Sequence, residues 1–273
     1  MKENCSPFKI VLPKKKKVGI LLSIPHCGVG FPNEIKSNYN ADLITNPDDT
    51  DWFLEKLYDF APDLGITTIQ AVYSRWVIDL NRTPENVSLY NDGRIITSLC
   101  PTTNFKGENL YLNSSFEPDN IEIERRLKNY YLPYHQKIDA LINEFKLNFE
   151  KVILWDAHSI RRRVATIQED PFPDLILGNN DRKTAENSLI NLTITNLKKS
   201  GLDVYDNHPF KGGYITRSKG NTAKNINALQ LEMAKDLYMS NNELDYDYEK
   251  AKNVKQWLQS TFNSLINYLD EGI

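Results

Sequence analysis

The chain has 273 residues, of which 40% are hydrophobic and 25% are charged, and its net charge is −3. This composition predicts a globular protein that is large enough to bury a core. Nucleic-acid binders depend on clustered Lys and Arg, so a nucleic acid is not the expected partner of this slightly acidic chain. The one basic run, at residues 14–17, is typical of a solvated surface.

Cysteine usage and hydropathy indicate the expected compartment. The three cysteines, Cys5, Cys27 and Cys100, are widely spaced and odd in number, which favours a reducing cytoplasm over a disulfide framework. The N-terminal residues show no apolar signal segment, and no run approaches the roughly 18 apolar residues of a membrane span. We therefore expect a cytoplasmic protein without a membrane partner, and the sequence leaves its oligomeric state open.

Short apolar runs alternate with helical patterns along the chain. Strands are predicted at residues 18–25, 67–73, 77–80, 151–155, 175–177, 204–206 and 228–232, and helices at 51–60, 118–145, 183–199 and 246–269. In the second helix, the residues at helical spacing are Ile121, Leu127, Tyr131, Ile138, Leu141 and Phe145. The alternation predicts one α/β domain at 18–273, with a largely parallel sheet covered on both faces, after an N-terminal extension at 1–17.

Polar residues follow or end several predicted strands, where ligands bind in open α/β sheets. They are His26, Asn81, Arg82, Asp156, His158, Ser159 and Glu232. The stretch after the third strand, at 81–115, is rich in Asn, Thr, Pro and Gly. A loop this long is usually functional or mobile, and the sequence does not tell whether it closes over a ligand.

Two of these residues suggest a catalytic metal site. His26, His158 and an Asp from "DDTDWF" match zinc held by two imidazoles and one carboxylate, with a fourth position for water. Asp51 is the predicted ligand and Asp49 is the alternative. Asp48 and Asp49 can equally cap the helix predicted from residue 51, so the pattern leaves both interpretations open.

Cys27 offers a rival chemistry, because a thiolate next to a His can be a nucleophile. Adjacent residues at a strand end point in opposite directions, so His26 is poorly placed as its base, and His158 is the other candidate. A small packed Cys is the simpler interpretation.

A second group of residues is basic. "SRWVIDLNR" carries Arg75 and Arg82, and "NHPFKGGYITR" carries Lys211 and Arg217. Arg clamps carboxylates well, which predicts a small anionic substrate, although each Arg alone can form a surface salt bridge. The Gly pair at 212–213 permits a tight turn or a close backbone approach, and it matches no nucleotide fingerprint.

Glu232, in "ALQLEM", ends the last predicted strand. A carboxylate there is a candidate general base beside a metal. It is equally consistent with the N-terminal charge of a helix predicted at 233–238.

Nine segments, in order, resemble the N-formylglutamate amidohydrolase (deformylase) family: "SIPHCG", "DDTDWF", "YSRWVIDLNR", "LCPTTNFKGENLY", "YYLPYHQKID", "WDAHSI", "DLILGNN", "PFKGGYITR" and "ALQLEM…LYM". The resemblance covers residues 19–239. It implies a fold similar to the zinc carboxypeptidases (phosphorylase/hydrolase-like): α/β, one three-layer domain, with a mixed, mostly parallel sheet and helices on both faces.

The resemblance also implies roles for residues. The implied zinc ligands are His26, Asp51 and His158; the catalytic residues are Glu232, as general base, and Arg82; and the substrate-binding residues are Arg75, Asn81, Arg82, Tyr214 and Arg217. The cofactor is one zinc ion, or another divalent metal. The roles of His135 and His208 stay open.

The implied reaction is hydrolysis of N-formyl-L-glutamate to formate and L-glutamate, as in histidine degradation. The alternatives are a zinc hydrolase of another N-acyl amino acid or short peptide, and a metal-bearing binding protein without turnover. The chain departs from the usual family pattern at Cys27, where Ser is usual, and at His208 and Phe210, where Asp and Tyr are usual.

Overall fold

The structure, a computed structural model, describes residues 6–87 and 98–271. Its centre is one seven-stranded sheet formed by β1 (Phe8–Val11), β2 (Ile20–Ile24), β3 (Thr67–Ala71), β4 (Val152–Ile160), β5 (Leu175–Gly178), β6 (Val204–Asp206) and β7 (Ile226–Ala234). The strand order is β1-β3-β2-β4-β7-β5-β6. Strands β3, β2, β4 and β7 are parallel, whereas β1 at one edge and the β5–β6 pair at the other run the opposite way. The predicted α/β class with a mixed, mostly parallel sheet is confirmed.

Helices cover both faces of this sheet. They are α1 (Asn33–Lys36), α2 (Ala41–Thr45), α3 (Leu54–Leu57), α4 (Asn120–Arg126), α5 (Leu132–Lys146), α6 (Asn187–Lys198), α7 (Tyr214–Lys219) and α8 (Tyr248–Asp270). Alternate residues of β4 enter two cores: Ile153 and Trp155 pack with α3, α6 and α8, while Val152 and Leu154 pack with α5 and α7. Burial on both faces explains why the central strands read as continuous apolar runs.

The long central helix differs from the expected regular one. A π-helical turn, Leu127–Tyr131, joins α4 to α5, and the Leu132 N–H bonds to the Leu127 carbonyl, five residues back. The extra residue in this turn shifts the helical register, so Ile121, predicted to face the core, is 81% exposed. The residues after the turn, from Tyr131 to Phe145, keep the predicted spacing, and Ile138 between them is fully buried.

The predicted strand at 77–80 is wrong. Its residues are buried, but the backbone is irregular. The carbonyls of Val77 and Leu80 bond to the side chains of Arg126 and His135, which replaces the ladder of a strand. The predicted helix at 233–238 is also wrong, because β7 continues to Ala234 and only a short 3₁₀ turn follows.

Other boundaries moved by a few residues. The helix predicted from residue 51 begins at Leu54, after Phe53 turns the chain with a φ of 64°. Strand β1 lies within the predicted N-terminal extension and pairs with β3. The described parts of 81–115 are irregular, and residues 88–97 of that predicted loop lie outside the described residues. Within the described ranges, no helix is both long and apolar enough to span a bilayer.

Candidate active site

Three predicted metal ligands meet near the carboxyl ends of the central strands. His26 follows β2 in a turn, Asp51 lies in the turn before α3, and His158 lies near the end of β4. The Nδ1 atoms of His26 and His158 are 3.7 and 3.2 Å from Asp51 Oδ2. The Asp51 N–H donates to the His26 carbonyl at 3.0 Å, which ties the two turns together. The three side chains offer one ligand atom each, all within 4.8 Å of one another.

Each histidine of this triad has a buried carboxylate behind it. His26 Nε2 lies 2.8 Å from Asp79 Oδ1, and His158 Nε2 lies 2.9 Å from Asp156 Oδ2. Because a carboxylate accepts, each Nε2 donates its proton to the carboxylate behind it, and each Nδ1 faces Asp51. Such carboxylate–histidine pairs are typical of metal centres, where they fix the ring and its tautomer.

Sequence reasoning placed Asp156 at the end of a strand but gave neither carboxylate a role, although signals exist. Asp156 precedes His158 by two positions in a strand, so the two side chains share a face. Asp79 is a charge inside the apolar run "WVIDL", and a charge buried in such a run needs a partner.

Electrostatics of the triad favour a cation. Burial opposes the charge on Asp51, but His158 and His26 outweigh burial and hold the pKa of its carboxyl below the usual range. Burial likewise opposes charge on His158, but Asp156 and Asp51 raise the pKa of its imidazole well above the usual value. Among the described residues, His26 Nδ1 is buried and has no hydrogen-bond partner. A positive charge between the three side chains satisfies all of these groups.

Glu232 lies beside the triad on β7. It is the register partner of His158 on the neighbouring parallel strand, so both side chains point to the same face. Burial raises the pKa of Glu232 to about 8, and Gln230 Nε2 lies 3.4 Å from its carboxylate. The alternative interpretation, a charge at a helix N-terminus, is wrong because Glu232 is inside a strand.

Asp48 and Asp49 are engaged away from the triad. Asp49 accepts hydrogen bonds from Trp76 Nε1 at 2.8 Å and from the Phe105 N–H at 3.0 Å. Asp48 pairs with Arg161 and with Lys106. The geometry therefore brings Asp51, rather than Asp49, to the two histidines.

Lys235 is a further residue that sequence reasoning missed. It is buried, and its Nζ donates to the Thr50 carbonyl at 2.7 Å, in the turn that carries Asp51. Burial lowers the pKa of its amine. No pattern in "MAKDL" distinguishes this lysine from a surface one.

Residues of segment 75–82 surround Asp79. Arg75 Nη2 contacts Asp79 Oδ2 at 2.6 Å, and Arg82 Nε lies 3.8 Å from the same oxygen. Asn81 Nδ2 lies 3.1 Å from His158 Nε2 and 3.3 Å from Gln230 Oε1. The structure thus brings Asn81 next to His158 of the triad, and Arg82 next to the carboxylate behind His26.

The start of α7 packs on Asn81. The Tyr214 N–H donates to the Asn81 carbonyl at 3.2 Å, and a Cβ on Gly213 would lie 2.3 Å from Asn81 Nδ2, so only glycine fits there. Arg217 Nε donates to the Gly212 carbonyl at 2.7 Å, within the same turn. Lys211, by contrast, is exposed and pairs with Asp181 at 2.9 Å.

Cys27 and His208 take no part in this cluster. Cys27 Sγ lies 3.3 Å from the Ile24 carbonyl and packs against the core, and burial raises the pKa of its thiol, which opposes a thiolate nucleophile. His208 is exposed, with its ring 6.2 Å from that of Tyr205. The packed interpretation of Cys27 is the one that the geometry supports.

Comparison with known proteins identifies the family. The family model described as N-formylglutamate amidohydrolase matches residues 18–239. The N-formylglutamate deformylase of Pseudomonas putida is 35% identical over 260 residues, which cover 94% of this chain and 96% of the relative. The chain belongs to the N-formylglutamate amidohydrolase family. The prediction of a hydrolase that acts on an amide bond is thereby confirmed.

Two further similarities agree with the N-formylglutamate amidohydrolase assignment. The N-formylglutamate deformylase of Pseudomonas aeruginosa strain PAO1 is 34% identical over 257 residues, covering 93% of this chain and 94% of that one. The crystal structure of N-formylglutamate amidohydrolase from Ralstonia eutropha JMP134 superposes with a TM-score of 0.83 at 22% identity, covering 98% and 100% of the two chains. The structural similarity supports the fold.

Proposed function

We propose that this protein hydrolyses N-formyl-L-glutamate to formate and L-glutamate. The observation that carries the proposal is the buried His26, Asp51 and His158 cluster with Glu232 beside it. It occurs in a chain that resembles an N-formylglutamate deformylase along 94% of its length. Amide hydrolysis needs a polarised carbonyl, an activated water and a proton for the departing amine, and this cluster has the groups for each need.

The cluster fits a divalent metal, and we assign zinc as the expected ion. Two imidazole nitrogens and one carboxylate oxygen are the donor set of a catalytic zinc site, which keeps one position open. A zinc ion bound there would supply Lewis-acid chemistry, which polarises a carbonyl and lowers the pKa of water to about 7. Asp79 and Asp156 would keep the two rings oriented, since each accepts a hydrogen bond from the Nε2 of its histidine.

Glu232 is the proposed general base. Its register pairing with His158 supports this role, because the two side chains share one face of the sheet. It would take a proton from the attacking water at a carboxylate oxygen and return that proton to the amide nitrogen as the bond breaks. A pKa near neutrality, such as the value of about 8 that burial gives this group, suits both steps.

The substrate is a dianion, so its carboxylates need cationic partners. We assign Arg82 and Asn81 as the main carboxylate site, because Asn81 lies beside His158 and Arg82 lies beside Asp79, the partner of His26. Arg82 is the more exposed arginine, with 20% of its side chain accessible against 10% for Arg75. Arg75 forms a salt bridge with Asp79. Tyr214 and Arg217, at the start of α7, complete the proposed substrate-binding site.

A second candidate activity keeps the site and changes the acyl group. A cavity of about 260 Å³ lies along the face of β4 beyond His158, with Ile160, Val164 and Phe105 in its lining. Asp49, two residues before Asp51, and Lys235, which bonds the Thr50 carbonyl, also line this cavity, so it adjoins the turn that carries Asp51. A cavity of this size could accommodate an acyl group larger than formyl.

The test measures the L-glutamate that the purified protein releases from N-formyl-, N-acetyl- and N-propionyl-L-glutamate. Formate is measured as well for the formyl substrate. We expect turnover of the formyl substrate that a chelator removes and added zinc restores. A preference for a longer acyl group would favour the second candidate. Release of no amine from any of the three by the zinc-loaded protein would contradict both activities.

The Glu232→Gln variant tests the general base. Gln keeps the size of Glu232 but cannot take up a proton, so kcat should fall about 10²- to 10⁴-fold while zinc stoichiometry stays unchanged. The matched control is Glu243→Gln, which removes a carboxylate that pairs with Arg161 outside the cluster. Full activity in Glu232→Gln with zinc retained would rule out this role.

A further inference from the structure

Segment 75–82 is irregular and, up to Asn81, buried, yet it carries Asp79, Asn81 and the partly exposed Arg82. A buried backbone outside a sheet or helix needs partners for its carbonyl groups, because an unpaired one is costly. Three side chains of the long central helix supply them. These are Arg126 Nη1 to the Val77 carbonyl at 2.9 Å, His135 Nε2 to the Leu80 carbonyl at 2.9 Å, and Tyr131 OH to the Arg82 carbonyl at 2.7 Å. We call these three side chains the donor face.

The π-helical turn brings the donor face into line. Arg126 and Tyr131 are five residues apart, and in a regular α-helix that spacing would place them about 140° apart around the axis. The bond of a π turn joins residues five apart, so the two side chains lie on one side of the helix. His135 follows Tyr131 by four residues, which is the same-face spacing of the α-helix that resumes after the turn.

Each donor has little freedom to leave its carbonyl. Arg126 is fully buried, its Nη1 also lies 2.9 Å from the hydroxyls of Tyr39 and Tyr111, and its Nε pairs with Glu122. The rings of Tyr131 and His135 stack with their centroids 4.2 Å apart. The donor face is therefore a rigid template for the segment that it holds.

We propose that the donor face positions Asp79, Asn81 and Arg82 for the reaction, so that its members are positioning residues. The path is short: Tyr131 bonds the backbone of Arg82 itself, and His135 bonds the carbonyl just before Asn81. Asp79, between the held carbonyls, fixes the His26 ring. The part that concerns substrate rests on the proposed function, since it assigns Arg82 to a substrate carboxylate.

The Tyr131→Phe variant tests this inference, because it removes one hydroxyl and keeps the ring. The KM for N-formyl-L-glutamate should rise about tenfold, as expected when one bond to a buried carbonyl is lost, while kcat stays within about twofold and zinc content is unchanged. The control is Tyr130→Phe, in the same π turn, whose hydroxyl donates to Glu34 at 2.6 Å rather than to segment 75–82. It should keep the KM of the unmodified protein.

Hydrogen–deuterium exchange gives a readout that does not depend on turnover. The amides of Asp79 and Arg82 bond to the carbonyls of Leu99 and Asp79, at 2.8 and 3.2 Å. Peptides that cover 75–82 should exchange faster in Tyr131→Phe than in the unmodified protein. In Tyr130→Phe their exchange rate should be unchanged. A lower melting temperature with unchanged KM and unchanged exchange would overturn the inference. If the unmodified protein releases no formate, the proposed function fails, and the exchange result alone decides the positioning role.

Discussion

The two halves of the candidate site are held in different ways. His158 and Glu232 belong to β4 and β7, which pair along nine residues, so the ladder of hydrogen bonds sets their relative position. Asp51 and segment 75–82 belong to turns, and contacts from distant parts of the chain position them. Lys235 bonds the turn before Asp51, and the donor face bonds segment 75–82.

This difference has a consequence for mutation. A residue in the strand half should act locally, because the backbone ladder stays intact when one side chain changes. A residue in the loop half supports its neighbours as well, because side-chain bonds replace the ladder there. Isosteric changes made in both halves measure this contrast.

The largest expected effect is that of Asp51→Asn in the loop half. Asn keeps the shape but loses the negative charge that faces both histidines, so zinc affinity should fall sharply. We expect a loss of about 10³-fold or more in kcat/KM, which is several kcal/mol of transition-state stabilisation. Zinc titration and formate release measure the two effects.

Asp49→Asn is the matched control for that variant, two residues away in the same turn. Asp49 accepts from Trp76 Nε1 and the Phe105 N–H, so its loss should lower stability and leave zinc stoichiometry unchanged. The reverse pattern, with zinc lost only in Asp49→Asn, would contradict the assignment of the ligand.

A smaller and more diagnostic effect comes from the carboxylates behind the two histidines. Asp156→Asn and Asp79→Asn each weaken the partner of one Nε2 proton, and each should cost about 10- to 100-fold in zinc affinity. In the strand half, Asp156 also accepts from Ser23, whereas Asp79 in the loop half also holds Arg75 and the Asn81 N–H.

Only Asp79→Asn should therefore raise the KM for N-formyl-L-glutamate, because only that change releases the carboxylate site. The comparison is made at saturating zinc, so that loss of the metal does not affect the measured KM. Equal KM values in the two variants would show that Asp79 does not support the carboxylate site any more than Asp156 does.

The same contrast explains how much of the site the sequence predicts. His26, His158 and Glu232 follow or end apolar runs, and the carboxyl-end rule is enough to group them. Asp51 required a choice among three nearby carboxylates, and only the tertiary contacts of Asp49 and Asp48 distinguish them. The partners that hold the loop half come from residues more than forty positions away, and no local pattern encodes them.

Segment 77–80 shows why a local sequence pattern predicted a strand that does not form. Val77, Ile78 and Leu80 are buried and have the composition of a strand. The donor face binds the carbonyls of Val77 and Leu80, which replaces part of the hydrogen bonding that a neighbouring strand would supply. The π-helical turn that makes this possible depends on one extra residue before Pro133, which a search for 3.6-residue periodicity does not detect.

The smallest expected effect is one of stability, and it concerns His135 in the donor face. Its Nε2 must carry the proton that the Leu80 carbonyl accepts, and its surroundings are the rings of Tyr131 and Tyr214 together with Lys219 and Asp139. Burial, with a further contribution from Lys219, lowers the pKa of this imidazole to about 4.

Because the folded pKa lies below the value of about 6.5 for an unfolded chain, the unfolded state takes up the proton first as the pH falls. The contribution of His135 is thus complete above pH ~6.5 and is lost progressively towards pH ~4, by about 2 kcal/mol at pH 5. Denaturant unfolding at pH 7.5 and pH 5 should show a smaller pH difference in His135→Gln, whose amide can still donate to Leu80. His208→Gln, at an exposed histidine, should keep the difference of the unmodified protein. An equal reduction in both variants would mean that the buried imidazole is not the source of the loss.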